Sequence, residues 1–325
     1  MSKKFRVLCA LTHGFEELKT QCKALTHVEF IDNSIAQHET KKVDRIDAVI
    51  SYASLYTESL HHTIIKSKPT WIHLVTAGVD PLIKYPPPIN TMISSSGYVW
   101  SATVAEHAIA LLFCLLRALK PSIERVKSGS WNRLNIVPQM RSIRYAKILV
   151  IGYGSIGRQI TKQLQGFDVS ITGLARTSRS EQGIKVFCME HLDRQLAEND
   201  IVINCLPLNP RTKHVLSNSQ FIKMKEDALF IDVSRGGTVD QAALLVGLRD
   251  RKPAAAGLDV FEVEPLPIHN ELRKLDNVVL TPHVAGFGSQ QVIDDMARSA
   301  YENLSDVLAN IPPRDSISLN KICVE

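Results

Sequence analysis

Three polar residues in the second half of the chain each stand just after an apolar run. Arg235 follows Leu229–Val233 in Asp232-Val-Ser-Arg-Gly-Gly237, Glu264 lies in Gly257-Leu-Asp-Val-Phe-Glu-Val-Glu-Pro265, and His283 closes Val279-Leu-Thr-Pro-His283. Their types make a chemical set. Arginine presents a planar, permanently charged fork that suits carboxylate and carbonyl oxygens. Histidine exchanges a proton near neutral pH. A carboxylate hydrogen-bonded to an imidazole stabilises its protonated form. Such a set protonates an oxygen while a cation steadies its developing charge. Each residue alone has an ordinary reading: a surface arginine, a loop acid before proline, a histidine capping a strand. Their joint occurrence, downstream of a glycine-rich turn, points to a site.

The glycine-rich turn closes the apolar run Lys147-Ile-Leu-Val-Ile151, which leads into Gly152-Tyr-Gly-Ser-Ile-Gly157 and then the helical pattern Arg158–Leu164. Strand, glycine turn and helix in this order form a dinucleotide fingerprint. The first glycine permits the tight turn, the second lets a pyrophosphate approach, and the third lets helix and strand pack. The helix N-terminus adds N–H groups and a positive dipole end. In a parallel sheet all strand C-termini open on one edge, so Arg235, Glu264 and His283 should meet beside the nicotinamide.

The next strand end selects the cofactor. An NAD site places an acid about 20 residues on, for the ribose hydroxyls. Counting 18 beyond Gly157 reaches Ala175, and Asp168 stands at the wrong end of the strand Val169–Leu174. The residues after Ala175 are Arg176-Thr177-Ser178-Arg179. Two guanidiniums and two hydroxyls suit a 2′-phosphate, with charge-assisted bonds worth about 1.5–3 kcal/mol each. NADP(H) is therefore expected in preference to NAD(H).

The elements that must position these residues alternate. Arg6–Leu11, Val28–Ile31, Ala48–Ser51, Trp71–Val75 and Thr91–Ser94 read as strands separated by helical patterns. After the glycine turn come Val169–Leu174, Ile201–Leu206, Leu229–Val233, Ala254–Leu258 and Val278–Thr281, then a helix over Gln290–Leu308. Alternation of this kind predicts an α/β fold with parallel sheets and helices on both faces. Between the two sets, Thr103–Lys120 reads as one long helix stopped by Pro121, apolar nearly all round and so buried on most faces.

Composition bounds the rest. The chain has 325 residues, 45% hydrophobic and 22% charged. That fits a globular protein of two domains, since single cores stop growing near ~250–300 residues. The net charge of +5 comes without a run of five like charges, only short groups such as Lys41-Lys42, so no nucleic-acid partner is expected. The longest apolar run, Ala108–Leu116, has nine residues. A bilayer span needs about 20, so no membrane segment is expected. Met-Ser-Lys-Lys at the start leads into too short an apolar run for a signal peptide, and the terminal Cys-Val-Glu is no targeting signal. Six cysteines at 9, 22, 114, 188, 205 and 323 include no C-x-x-C pair. They read as reduced thiols of a cytoplasmic protein, and with no histidine cluster no metal is expected.

From about Val75 to its end the chain resembles the D-isomer-specific 2-hydroxyacid dehydrogenases. The Thr76-Ala-Gly-Val-Asp80 loop, Val104-Ala-Glu-His107, the glycine turn, Asp-Val-Ser-Arg-Gly-Gly, Leu-Asp-Val-Phe-x-x-Glu-Pro and Thr-Pro-His occur in order. The basic turn resembles that of the NADPH-dependent glyoxylate/hydroxypyruvate reductases. The resemblance implies two doubly wound parallel-sheet domains. Residues 1–97 plus 287–325 would form a flavodoxin-like substrate domain, and residues 98–286 a Rossmann-type cofactor domain. The implied reaction is hydride transfer between NADP(H) and a small 2-keto acid or D-2-hydroxy acid, with glyoxylate or hydroxypyruvate as substrates.

The same resemblance distributes roles. Arg235, Glu264 and His283 are catalytic, and the N–H groups of Ala77 and Gly78 join Arg235 and His283 in holding substrate. Cofactor contacts are implied for Thr103, for Gly154, Ser155 and Ile156, and for Arg176, Thr177, Ser178 and Arg179. Further contacts are implied for Cys205, Leu206, Pro207 and Thr212, for Val233 and Ser234, and for Asp259, His283 and Ala285. The long helix would join two copies in a homodimer. His107 reads as a packing or domain-interface residue, while Tyr98, Trp100 and Trp131 could line the substrate mouth or pack in the core.

Three relatives compete. Formate dehydrogenase carries Gln where Glu264 stands. Phosphoglycerate dehydrogenase has an acid after its second strand and extra regulatory length. A dinucleotide-sensing corepressor on the same fold keeps the triad but carries long flanking tails; it is the alternative to the enzyme.

Overall fold

The computed structural model describes residues 4–32 and 45–318. The expectations on Met1–Lys3, Lys41-Lys42, Cys323 and the terminal Cys-Val-Glu lie outside the described residues. The chain divides into two compact units, Met1–Trp100 with Phe287–Glu325, and Ser101–Gly286. The first division falls after Trp100 rather than residue 97. Trp100 is buried in the first unit, and its indole N–H donates to the Val75 carbonyl.

The first unit holds a parallel sheet of β1 (Phe5–Ala10), β2 (Val28–Asp32), β3 (Ala48–Ser51), β4 (Trp71–Leu74) and β5 (Met92–Ser95), ordered β2-β1-β3-β4-β5. This is the flavodoxin-like order. β3 and β4 are buried along their whole length and β1 from Val7 on, which is why they read as mainly apolar runs. Helix Gln290–Leu308 returns to this unit and packs on helix Phe15–Gln21. Gly14 allows the approach: its φ is +86° and a Cβ there would lie 2.3 Å from the Met296 methyl. A buried chain of hydrogen bonds runs from Trp71 through Ser94, His73 and Ser96 to Ser299 on that helix.

The second unit holds β6 (Lys147–Ile151), β7 (Ser170–Ala175), β8 (Arg179–Glu181), β9 (Ile184–Cys188), β10 (Ile201–Asn204), β11 (Leu229–Asp232), β12 (Ala255–Leu258) and β13 (Val278–Leu280). Their order is β13-β12-β11-β10-β6-β7-β9-β8, parallel except for β8, which runs antiparallel to β9. The order reverses between β6 and β10, the switch point at which such sheets bind ligands. The β8–β9 hairpin was not expected from the pattern of apolar runs. Its two-residue turn, Gln182-Gly183, has positive φ at both positions, 50° and 82°. That is hairpin geometry without the usual Asn-Gly signal.

The long helix also differs from expectation. It spans Ser101–Leu116, and a second helix, Leu119–Lys127, comes after it. Ala118 adopts φ +49° and breaks the helix, so Pro121 does not stop it. Pro121 sits in the first turn of the next helix, where no N–H is needed. Nor is the helix buried all round. Ala105, Ala108, Leu111, Leu112 and Leu116 are buried, and Gly257 on β12 makes room for Leu111. Glu106, Ala110 and Arg117 are exposed. Gly97–Leu116 is long and apolar enough to cross a membrane by length and composition, with 44% of its apolar window buried inside the protein.

Candidate active site

The glycine turn has the geometry its spacing predicts. Gly152 has φ +89°, and a Cβ there would lie 2.7 Å from the Cys205 carbonyl carbon. Gly154 has open space where a Cβ would be. It is the N-cap of helix Ser155–Leu164, and as glycine it brings no capping side chain of its own. Gly157 packs 3.0 Å from the Gly152 carbonyl oxygen and 3.1 Å from Val150. The first and third positions close the turn, and the second leaves a cradle at the helix N-terminus that suits a phosphate.

The basic turn differs from expectation. Arg176, Thr177 and Ser178 leave β7, but Arg179 begins β8. Its Nε–H donates to Glu181 at 2.9 Å and its Nη2 to the Tyr153 carbonyl at 3.0 Å. Glu181 also accepts from Arg158 in the helix after the glycine turn. An acid therefore does stand beside this turn, brought there by the hairpin. Arg158 and then Arg179, hydrogen-bonded to its oxygens, hold its carboxyl at about 2. Ser178 Oγ accepts from the Cys188 N–H at 2.9 Å, and a hydroxyl that accepts still has its hydrogen to give.

The other expected cofactor residues line the ends of β10 to β13. Cys205 and Leu206 are buried, and burial pushes the Cys205 thiol well up. Thr212 donates to the Pro207 carbonyl at 2.6 Å. Val233 is buried, and the Ser234 hydroxyl turns inward to Asp232 at 2.5 Å. Asn204 donates to Asp232, Ser234 and Thr238, forming a polar core under the 233–238 loop. Burial raises the Asp232 carboxyl to about 7, against the pull of Ser234 and Asn204. Thr103 Oγ1 donates to the Gly286 carbonyl at 3.3 Å.

Arg235, Glu264 and His283 come together. Gly236 explains how: a Cβ there would sit 1.9 Å from the Phe261 carbonyl carbon, so only glycine lets the 233–238 loop lie against the 261–264 loop. Arg235 donates from Nη1 to the Ser234 carbonyl at 2.7 Å, and its charge acts on Glu264. Glu264 Oε1 accepts the Phe261 N–H at 2.9 Å, and Oε2 lies 2.6 Å from His283 Nδ1. Burial pushes the Glu264 carboxyl up. The hydrogen bonds from His283 and Phe261, with the charges of His283 and Arg235, outweigh it and leave the group below its ordinary value. An ionised carboxylate only accepts, so His283 donates from Nδ1 and presents Nε2 for chemistry.

A second layer, which the sequence motifs do not reveal, holds His283. Its φ is +53°, a left-handed value rare outside glycine, and its N–H donates to the Asp259 carbonyl at 2.8 Å. The buried Asp259 carboxylate accepts from Thr281 at 2.6 Å, Val284 N–H at 3.0 Å and Ala285 N–H at 2.9 Å. His107 Nε2 lies 2.9 Å from Thr281 Oγ1 and 3.4 Å from Asp259. His107 is thus a polar anchor of the histidine loop, a pairing across 152 residues that spacing does not reveal.

Ala77 and Gly78 lie in the first unit, after β4. Thr76 fixes their loop: its hydroxyl accepts the Ala53 N–H at 3.0 Å and its carbonyl accepts from Ser95 at 2.9 Å. A Cβ at Gly97 would lie 2.5 Å from Ala77 Cα. Of the aromatic candidates, Trp100 is a core residue, Tyr98 is exposed and hydrogen-bonds Ser299, and Trp131 is 80% exposed.

Comparison with known proteins identifies the family of the chain. The family profile described as D-isomer specific 2-hydroxyacid dehydrogenase, NAD binding domain, matches residues 109–285. A glyoxylate/hydroxypyruvate reductase B from Enterobacter agglomerans is 38% identical over 217 residues, 65% of this chain and 66% of that protein. The matched stretch thus spans slightly less than two thirds of that relative. A D-isomer specific 2-hydroxyacid dehydrogenase from Xanthobacter autotrophicus Py2, solved with NADPH and MES, superposes with a TM-score of 0.83 at 23% identity, covering 98% of this chain and 99% of that one. An NADPH-dependent glyoxylate/hydroxypyruvate reductase from Sinorhizobium meliloti, solved with NADP and sulfate, gives 0.82 at 21%, covering 97% and 98%. At these identities the solved structures speak for the fold.

Proposed function

Because the chain belongs to the D-isomer-specific 2-hydroxyacid dehydrogenase family, we propose that it transfers a hydride between NADP(H) and a small 2-keto acid, reducing glyoxylate or hydroxypyruvate. The observation that carries this reading is the 2.6 Å His283–Glu264 pair beside Arg235. The site fits a dinucleotide, since Gly154 leaves an open cradle at the N-terminus of helix Ser155–Leu164. Bound NADPH supplies the hydride for the carbonyl carbon. Arg235 orients the keto acid by its carboxylate and carbonyl and stabilises the charge that grows on oxygen. His283 gives the proton from Nε2, so the C=O becomes CH–OH and the imidazole is left neutral. Glu264 holds Nδ1–H throughout. Ala77 and Gly78 bind the substrate carboxylate through their N–H groups, as the family resemblance implies.

The preference for NADP(H) rests on Arg176, Thr177, Ser178 and Arg179, with Glu181 neutralised by Arg158 and Arg179. A homodimer is part of the proposal. Leu119, Ile123, Val126, Trp131, Leu134 and Val137 are exposed large apolar side chains in one stretch, with Leu134 81% exposed. Such concentration marks an interaction surface. It lies on and after the helix Leu119–Lys127 rather than on the long helix alone. A cytoplasmic location is supported by the thiols of Cys9, Cys22 and Cys205, which are buried and unpaired. The relatives are named as reductases and dehydrogenases, which does not favour the corepressor alternative.

A panel of 2-keto acids assayed with NADPH and with NADH tests the reading. Turnover of glyoxylate or hydroxypyruvate with higher kcat/KM for NADPH is expected. Absence of turnover with every keto acid would favour a binding module instead, and light scattering that found a monomer at micromolar concentration would remove the dimer.

A further inference from the structure

We propose that Glu181 is a positioning residue for cofactor selection: bridging Arg158 and Arg179, it fixes the Arg179 guanidinium over the glycine turn and makes the preference for a 2′-phosphate depend on an acid that never touches the phosphate. The proposal rests on the reading of the chain as an NADP(H) enzyme.

The geometry is specific. Glu181 receives the Arg179 Nε–H at 2.9 Å, and Arg158 donates to both of its oxygens. Arg179 Nη2 meets the Tyr153 carbonyl, inside the glycine turn, at 3.0 Å, and Nη1 lies 3.4 Å from the Thr177 carbonyl. Its guanidinium carbon stands 5.9 Å from the centre of the Tyr153 ring. Tyr153 is itself fixed, because Gly173 on β7 leaves the space its ring fills: a Cβ there would lie 2.6 Å from it. Arg179 is therefore held from three sides, on the hairpin, on the turn and on its own loop.

Charge explains why the acid does not defeat the purpose. A carboxylate beside a phosphate site repels the phosphate. Arg158 supplies the counter-charge, so the cluster of Arg158, Glu181 and Arg179 carries one net positive charge, and Arg176 adds a second. Holding a long arginine in one rotamer before the ligand arrives removes that ordering cost from binding. A carboxylate that takes the ribose hydroxyls must have lone pairs to offer. Here they face two guanidiniums, whose hydrogen bonds lower the carboxyl to about 2.

The test is fluorescence titration of the full-length protein with NADPH and with NADH, comparing the unaltered chain with Glu181→Ala and Glu181→Gln. The Arg179 Nε–H resonance is followed by NMR in the same samples. The expected result for Glu181→Ala is about 2–5-fold weaker NADPH binding, the upper part of the range for exposed ion pairs, with NADH binding unchanged. The Arg179 Nε–H should lose its protection from exchange. Glu181→Gln keeps one acceptor oxygen and should fall between. If Glu181→Ala, or Glu181→Gln where the alanine variant does not fold, binds NADPH as tightly as the unaltered chain or tighter, the positioning role is overturned. A lack of NADPH preference in the unaltered chain is a different failure, overturning the cofactor reading and this proposal with it.

Discussion

Glu264→Gln tests the acid–base assignment most sharply, because the amide keeps the shape while removing the charge and one acceptor oxygen. Glutamine has a single oxygen, which can accept from the Phe261 N–H or from His283 Nδ1–H but not from both, so its NH2 must face the other donor. What is lost is one of the two accepted hydrogen bonds and the charge assistance of the 2.6 Å bond. Charge-assisted hydrogen bonds contribute about 1.5–3 kcal/mol when well shielded, and exposed ion pairs about 0.2–1 kcal/mol. The His283 and Glu264 side chains are 43% and 34% exposed, which places the pair between these limits. A loss of about 1–1.5 kcal/mol in the transition state corresponds to roughly a 5–12-fold fall in kcat. His283→Ala removes the proton donor itself and should lower kcat by roughly 10²–10⁴, with little change in NADPH affinity. The assay is loss of NADPH absorbance with glyoxylate across about pH 5 to 9. The sign of the acid limb comes from Glu264. Its carboxyl is held below the ordinary range, so the pair persists as pH falls through that range and is lost only below it. The two directions use His283 oppositely: reduction takes a proton from it and oxidation of the hydroxy acid returns one. If Glu264→Gln matched the unaltered enzyme at every pH, or fell as far as His283→Ala, the division of roles would be wrong.

Other single positions carry consequences of their own. Arg176→Ala should weaken NADPH more than NADH; equal losses in paired titrations would assign Arg176 to the shared part of the cofactor. Gly152→Ala forces a side chain into φ +89° and within 2.7 Å of the Cys205 backbone, so about 2–4 kcal/mol of stability should be lost, visible as a lower denaturation midpoint; an unchanged midpoint would mean the turn relaxes. The Asp232 carboxyl is raised to about 7, so the native state holds this proton more tightly than the unfolded chain does. Its contribution should therefore be lost as pH rises from about 4 to 7, and Asp232→Asn should flatten the stability profile across that window.

The sheets were legible because both faces of a parallel sheet are covered, so its strands appear as unbroken apolar runs. Among the described residues, eleven strands lie within two residues of where those runs end. The misses share a cause. β8 has three residues and no apolar run, and its turn carries Gln182 where asparagine would have been the signal. The break at Ala118 depends on a left-handed alanine that tertiary packing imposes, and the nearby proline pointed three residues too far along.

The site was legible for residues whose chemistry is local and opaque where function depends on partners distant in sequence. Arg235, Glu264 and His283 announce themselves by type and by their places after strands. His107 and Asp259 do not, because the bonds that make them the anchor of the histidine loop join two regions of the chain that no short motif connects. Glu181 shows the same limit from the other side. Scanning for an acid near Ala175 treats every carboxylate as an acceptor waiting for ribose. Whether it is one depends on what already occupies its lone pairs. Two arginines, one from the glycine-turn helix and one from the hairpin, turn this acid into part of a cationic cluster. On the proposed NADP(H) reading, cofactor choice is set by the net charge and hydrogen-bond supply of the folded cluster, and the identity of the residue at the end of β7 is only one contribution to it.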